Sequence, residues 1–168
     1  TKVLLSGSPE ALNRVGMNVE EGQTPSLSER ELYIMDIATR KVTPITKDFD
    51  PCIQANTWNP YDGQIYFAAE NKDKISLFRY NPTNSKFQNL NIPEDLALSF
   101  SMAQTAPVLA FYGQGASNSD RLYTLNTKKM TYNLVDDLSK ETLKDVKLGE
   151  CIPWNFVNRL GDTIYGRY

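Results

Sequence analysis

Not one histidine occurs in the 168 residues. That absence excludes a self-contained Ser-His-Asp or Cys-His catalytic site, and it removes the commonest metal ligand. Cysteine is nearly as scarce. Cys52 and Cys151 stand 99 residues apart, which is neither a disulfide framework nor a metal-ligand spacing. Two small, semi-buried side chains is the reading their residue type favours. An excess of one charge is also missing, because 18 Lys and Arg against 20 Asp and Glu leave a net charge of −2. The longest cationic cluster is Lys128-Lys129, placed in a turn, so there is no basic stripe and no nucleic-acid partner is expected. No apolar run approaches the roughly 18 residues that a membrane-spanning helix needs, so no membrane span is expected. The opening Thr1-Lys2-Val3-Leu4-Leu5-Ser6-Gly7 is too short for the apolar region of a signal peptide.

Local chemical signatures are equally thin. Gly115-Ala116-Ser117-Asn118-Ser119 lacks the closing glycine of a nucleophile elbow, and no serine is followed three positions later by lysine. Gly113-Gln114-Gly115 has neither a third glycine nor a following helix, and reads as a hairpin loop rather than a phosphate cradle. No stretch is dense enough in oxygen ligands for calcium. The sequence therefore assigns this chain no catalytic residue, no metal and no cofactor. Two acidic pairs remain. Glu20-Glu21 could hold a substrate amine through charge-assisted hydrogen bonds, although its place before Gly22 favours a solvated acidic turn. Asp136-Asp137 flanks a turn or a helix start.

What the sequence has in abundance is a repeat. Glu31-Leu32-Tyr33-Ile34-Met35-Asp36, Ser76-Leu77-Phe78-Arg79-Tyr80-Asn81 and Arg121-Leu122-Tyr123-Thr124-Leu125-Asn126 share one pattern: Leu beside an aromatic, an apolar residue two positions on, and a closing Asp or Asn. The leucines at 32, 77 and 122 recur every 45 residues. Each copy runs through polar turn formers into a second β-rich stretch, which makes a hairpin. Before the second copy lie Ile53–Trp58, the turn Asn59-Pro60-Tyr61-Asp62-Gly63, and Gln64–Ala69. Asp-Gly supplies the positive φ of a tight turn. Pro107–Tyr112 takes the matching place before the third copy.

Four short strands per 45-residue unit is the anatomy of a β-propeller blade. The expected fold is all-β: a partial propeller of about three to four blades, each a four-stranded antiparallel sheet. A β-sandwich also alternates strands and turns, but gives no reason for equal spacing. Only Ser139–Val146 suggests a helical turn or two. Residues 8–29, with Pro9, Gly16, Gly22 and Pro25, break the period and read as a long loop inserted in the first blade, either solvated or lining a binding mouth. Blades are expected over residues 1–158, followed by a separate strand at 159–168. Leu32, Leu77 and Leu122 should be equivalent buried residues on third strands. Three blades cannot close a ring, so the open faces predict a homodimer.

Several motifs resemble the prolyl oligopeptidase family of serine peptidases, in particular its bacterial dipeptidyl-peptidase-like members. Trp58-Asn59-Pro60-Tyr61-Asp62-Gly63 looks like that family's Trp-Ser-Pro-Asp-Gly blade turn, with Asn for Ser and Tyr61 added. Glu31–Thr39 resembles its Leu-Tyr-x-x-Asp hairpin. Trp154-Asn155-Phe156-Val157, followed by Gly161-Asp162-Thr163-Ile164-Tyr165-Gly166-Arg167-Tyr168, is similar to the strand pair by which these enzymes pass from propeller to α/β-hydrolase domain, with the Asp-Gly order inverted. The resemblance implies a propeller that gates or shapes substrate access to a hydrolase domain of the same parent chain. It also implies peptide substrates cleaved by a parent serine exopeptidase, and a periplasmic or secreted location. The family's amine-binding glutamate pair sits in a helical, aromatic-rich setting unlike that of Glu20-Glu21. A TolB-type, non-catalytic propeller that binds protein partners is the alternative.

Overall fold

The computed structural model describes every residue except Leu27. Its strands are β1 (Lys2–Gly7), β2 (Glu31–Asp36), β3 (Val42–Pro44), β4 (Cys52–Trp58), β5 (Ile65–Asn71), β6 (Lys74–Asn81), β7 (Lys86–Asn89), β8 (Leu96–Met102), β9 (Val108–Gly115), β10 (Asn118–Asn126), β11 (Thr131–Asp137), β12 (Pro153–Val157) and β13 (Thr163–Arg167). Two single helical turns, α1 (Ala11–Arg14) and α2 (Lys140–Leu143), lie in connections. Consecutive strands pair antiparallel as β1-β2-β3, β4-β5-β6-β7, β8-β9-β10-β11 and β12-β13. The second and third groups are whole four-stranded blades, joined by one parallel bridge, Ile75 to Leu96. The first group supplies three strands of a blade, with β2 in the place of β6 and β10.

The 45-residue period is written into the backbone as well as the sequence. Asp36, Asn81 and Asn126 each close a third strand, and their Oδ1 atoms accept from Thr39 N, Thr83 N and Lys129 N, all at 2.9 Å. Four positions past each of them, Arg40, Ser85 and Met130 take positive φ of 57°, 55° and 55°. A side chain there costs about 1–2 kcal/mol, whereas glycine gives back about 0.5–1 kcal/mol in chain entropy. Ser85 is exposed. Ser85→Gly is therefore expected to raise the unfolding free energy by about 0.5 kcal/mol or slightly more, measured as a shifted urea midpoint at constant m-value.

Side-chain alternation sorts each third strand between two interfaces. Leu32 packs with Ile53, Ile65, Phe67, Ala69, Phe78 and Tyr80 between the first and second blades. Leu77 packs with Tyr66, Ala68, Leu109, Phe111, Tyr123 and Leu125 between the second and third. The leucine of each blade thus faces the next blade, and the aromatic beside it faces the previous one. Leu122 departs from the expected burial. It is only half-buried, beside an exposed Tyr112, because no blade among the described residues packs on that side of the third sheet. Leu32 and Leu77 are 0% and 1% exposed.

The connection spanning residues 8–30 folds back on the first sheet. Tyr33 Oη donates to Ser8 O at 2.8 Å. A Cβ on Gly16 would lie 2.2 Å from that hydroxyl, so only glycine lets the loop approach the ring so closely. Part of this loop is therefore packing, which buries Tyr33 completely.

Candidate functional site at one end of the blades

Antiparallel order sends two kinds of connection to one end of the blades: those between second and third strands, and those from one blade to the next. Residues 8–30, 72–73 and 116–117 are of the first kind, and 45–51 and 90–95 of the second. Most of the buried or paired carboxylates lie here.

Glu31 opens β2 and is 1% exposed. Thr46 Oγ1 donates to its carboxylate and accepts from Leu32 N at 2.7 Å. Burial pushes the Glu31 carboxyl up, and the Thr46 hydrogen bond opposes part of that rise.

Glu94, in the connection from the second blade to the third, is 8% exposed. It accepts from Tyr123 Oη at 2.6 Å, from Asn118 Nδ2 at 3.2 Å and from Arg121 Nη1 at 3.3 Å. Arg121 turns its Nε to Asp137 at 2.8 Å, so one guanidinium joins two carboxylates. Tyr123 is pushed up to about 12, first by burial and then by the Glu94 carboxylate that its hydroxyl bonds. The space for Glu94 comes from Gly113, where an added Cβ would stand 2.6 Å from Glu94 Cγ. Gly113-Gln114-Gly115 is the end of β9 and not a hairpin loop. Its glycines let a carboxylate side chain lie directly on the strand. The loop is the following pair, Ala116-Ser117.

The repeat shows what Glu94 replaces. Phe49 stands 45 residues earlier and packs edge-on to Phe67 and Phe78, at centroid distances of 5.4 and 5.1 Å. Phe67 and Phe78 stack at 5.6 Å, and Phe111 and Tyr123 stack at 5.2 Å in the same place of the third blade. Where the second blade caps its aromatic pair with a phenylalanine, the third uses a glutamate and answers it with a tyrosine hydroxyl. Neither Glu31 nor Glu94 is marked by a local motif. The 45-residue alignment of Phe49 with Glu94 is the one signal that singles out the latter.

A third charged group lies beside these. Arg167, at the end of β13, reaches Asp73 in the β5–β6 turn at 2.6 Å and Asp95 at 2.5 Å, and Lys74 reaches Asp95 at 3.1 Å. A cavity of about 150 Å³ opens between them, lined by Asp73, Asp95, Leu96, Gly115, Ala116 and Arg167.

Glu20 and Glu21 are exposed in a turn closed by Gln23 N donating to Glu20 O at 3.0 Å. The structure does not bring them together with Glu31, Glu94 or the Arg167 cluster through any side-chain bond among the described residues. Asp137, the second acid of the other pair, accepts from Ser139 N at 3.0 Å and starts the α2 turn. Cys52 and Cys151 are both free thiols. Arranged this way, the charged groups hold connections and strands in place, and Ser117 Oγ in the β9–β10 turn donates to Gly149 O at 2.7 Å.

No family model and no curated protein matches the sequence. Solved structures do match its fold. The acylaminoacyl peptidase of Pyrococcus horikoshii superposes over 92% of this chain with a TM-score of 0.67 and 17% identity, and the chain spans 21% of that protein. The β-propeller domain of the Trilobed protease from Pyrococcus furiosus superposes over 88% with a TM-score of 0.62 and 16% identity, 38% of that chain being covered. TolB from Acinetobacter baumannii matches 67% of the chain at a TM-score of 0.55 and 16% identity, over 28% of its own length.

Proposed function

We propose that this chain, whose fold is that of β-propeller domains, those of peptidases and of TolB among them, is the propeller portion of a serine peptidase of the prolyl oligopeptidase type, where it shapes substrate access to a hydrolase domain of the same parent. The observation that carries this reading is the β12–β13 hairpin. Among the described residues it pairs only with itself, Pro153 opposite Arg167 through Val157 opposite Thr163, and joins no blade sheet. Its sequence is the stretch that resembles the family's passage from propeller to hydrolase. In this reading the propeller ends before Pro153, earlier than the boundary at residue 158 expected from the sequence, because Pro153–Val157 pairs with Thr163–Arg167, and the hairpin belongs to the next domain. Glu20 and Glu21 stand on the blade end that carries the hairpin's ion pairs, and are proposed to hold the amine of a peptide substrate. A periplasmic or secreted location goes with the same reading. The runner-up, a TolB-type propeller that binds proteins without catalysis, draws on the likeness to TolB.

A fluorophosphonate probe, which phosphonylates activated serines with loss of fluoride, separates the two. The natural full-length protein is expected to be labelled, and the 168-residue chain alone is not, because it contains no histidine to activate a serine. With a labelled parent in hand, Glu20→Gln with Glu21→Gln should raise KM at least tenfold for substrates with a free amino terminus and leave N-acylated ones unchanged. A full-length protein that never labels and carries no nucleophile elbow favours the TolB-type reading.

A further inference from the structure

We propose that Arg167 pins an electrostatic latch, and that loss of its two ion pairs frees the β12–β13 hairpin as a unit from the blades. Three observations lead there. First, the hairpin meets the blades through Arg167 and Tyr165, neighbours on one of its sides. Arg167 meets Asp73 and Asp95, and Lys72 Nζ lies 4.3 Å above the Tyr165 ring. Second, the other side is apolar and faces solvent. The register puts Trp154, Phe156 and Ile164 on one face, and Ile152 and Tyr168 extend it through a reciprocal pair of backbone bonds. Trp154 is 52% exposed and Tyr168 72%. A hairpin held by hydrophobic burial would turn this face inward. Third, the carboxylates come from two blades: Asp73 from the turn within the second, and Asp95 from the connection into the third.

The ion pairs suit a latch because they are partly withdrawn from water. Side-chain exposure is 18% for Arg167, 19% for Asp73 and 28% for Asp95. The charged groups facing Arg167 are Asp73 and Asp95 from the blades; Lys74 faces Asp95, and Cys151 approaches the guanidinium from the hairpin's own lead-in. The fork geometry of arginine lets one side chain bind two separate carboxylates, which a lysine ammonium does less well. Arg167 is therefore a positioning residue. The hairpin keeps its internal ladder in either state, and release changes only its attachment.

Backbone ¹⁵N relaxation on the 168-residue chain tests this. In the unsubstituted chain, residues 153–167 should have order parameters of about 0.85, like the blades. Arg167→Gln should lower them below about 0.6 while cross-strand contacts from Phe156 to Ile164 persist. Arg167→Lys should give an intermediate value. Asp73→Asn combined with Asp95→Asn breaks the same pairs from the blade side and should reproduce the loss. Acid titration supplies an arm free of substitutions. Arg167 and Lys74 hold the Asp95 carboxyl below its ordinary value, so attachment should persist through about pH 4 and fail only below it. Order parameters that stay at blade level in Arg167→Gln, in the Asp73→Asn and Asp95→Asn double variant and in acid overturn the proposal.

Discussion

Leu77→Ala is expected to lower the unfolding free energy by about 3 kcal/mol, and Leu122→Ala by about 1 kcal/mol or less, although both residues hold the same place in the repeat. Leu77 is 1% exposed and wedged between two whole blades. Truncation there removes buried methyl groups and leaves a cavity that two rigid sheets cannot close. Leu122 points the same way from the third blade, but into a shallow, open hollow lined by Ala110 and Tyr112. Little apolar area is lost with it, and no sealed cavity forms. Urea melts of the two variants at low protein concentration check the contrast, and equal losses would mean that the faces are not organised blade against blade. The same variant reports on association. We propose that the open face of the third blade pairs with a second copy. In that case the cost of Leu122→Ala rises with protein concentration, and light scattering at micromolar concentration finds a dimer in the unsubstituted chain only.

How much of this was legible in the sequence follows from what each signal measures. The three Leu-aromatic copies fixed the period, and the turn residues Asp36, Asn81 and Asn126 do the same backbone work in the structure. Both depend on local geometry, which a sequence pattern reports directly. The burial of Leu122 does not, since it depends on whether another sheet lies across it. Gly113-Gln114-Gly115 misled for a related reason. Glycine marks a turn when the backbone needs positive φ, but it also marks close approach, and here the approaching group is the Glu94 side chain. Glu94 lies in a connection, where the two-residue alternation of strands gives no guide to which side chains turn inward. Its role becomes visible only when Phe49 is aligned with it and the two aromatic pairs are compared. Glu20-Glu21 stood out in the sequence through adjacency alone, and the turn that holds them leaves both in solvent.

Replacing Glu94 by alanine should cost about 3 kcal/mol, most of it from groups left without a partner. Breaking a buried ion pair usually costs about 3–5 kcal/mol, but Arg121 keeps Asp137 and has a third of its side chain in solvent, which places the expectation at the lower end. Among the described residues the Tyr123 hydroxyl has no such second acceptor in hydrogen-bond contact. Tyr123→Phe alone should cost about 1 kcal/mol. The pair should cost less than the sum, by about 1 kcal/mol, because the second change removes the donor that the first leaves stranded. Glu94→Phe with Tyr123→Phe goes further, since it rebuilds the Phe49 and Phe78 arrangement of the second blade, and should recover part of the loss relative to Glu94→Ala. The tyrosine also sets an alkaline limit. Its folded-state pKa, about 12, lies above the unfolded value of 10.0, so its contribution is complete below pH 10 and is lost as pH rises toward 12. Between those values the unfolded chain holds fewer protons on this group than the folded one, and stability must fall. Denaturant midpoints from pH 8 to 11 should therefore drop above pH 10 in the unsubstituted chain and drop less steeply in Tyr123→Phe. Identical alkaline profiles, together with strict additivity of the two single variants, would show that the Glu94–Tyr123 bond does not hold the third blade together.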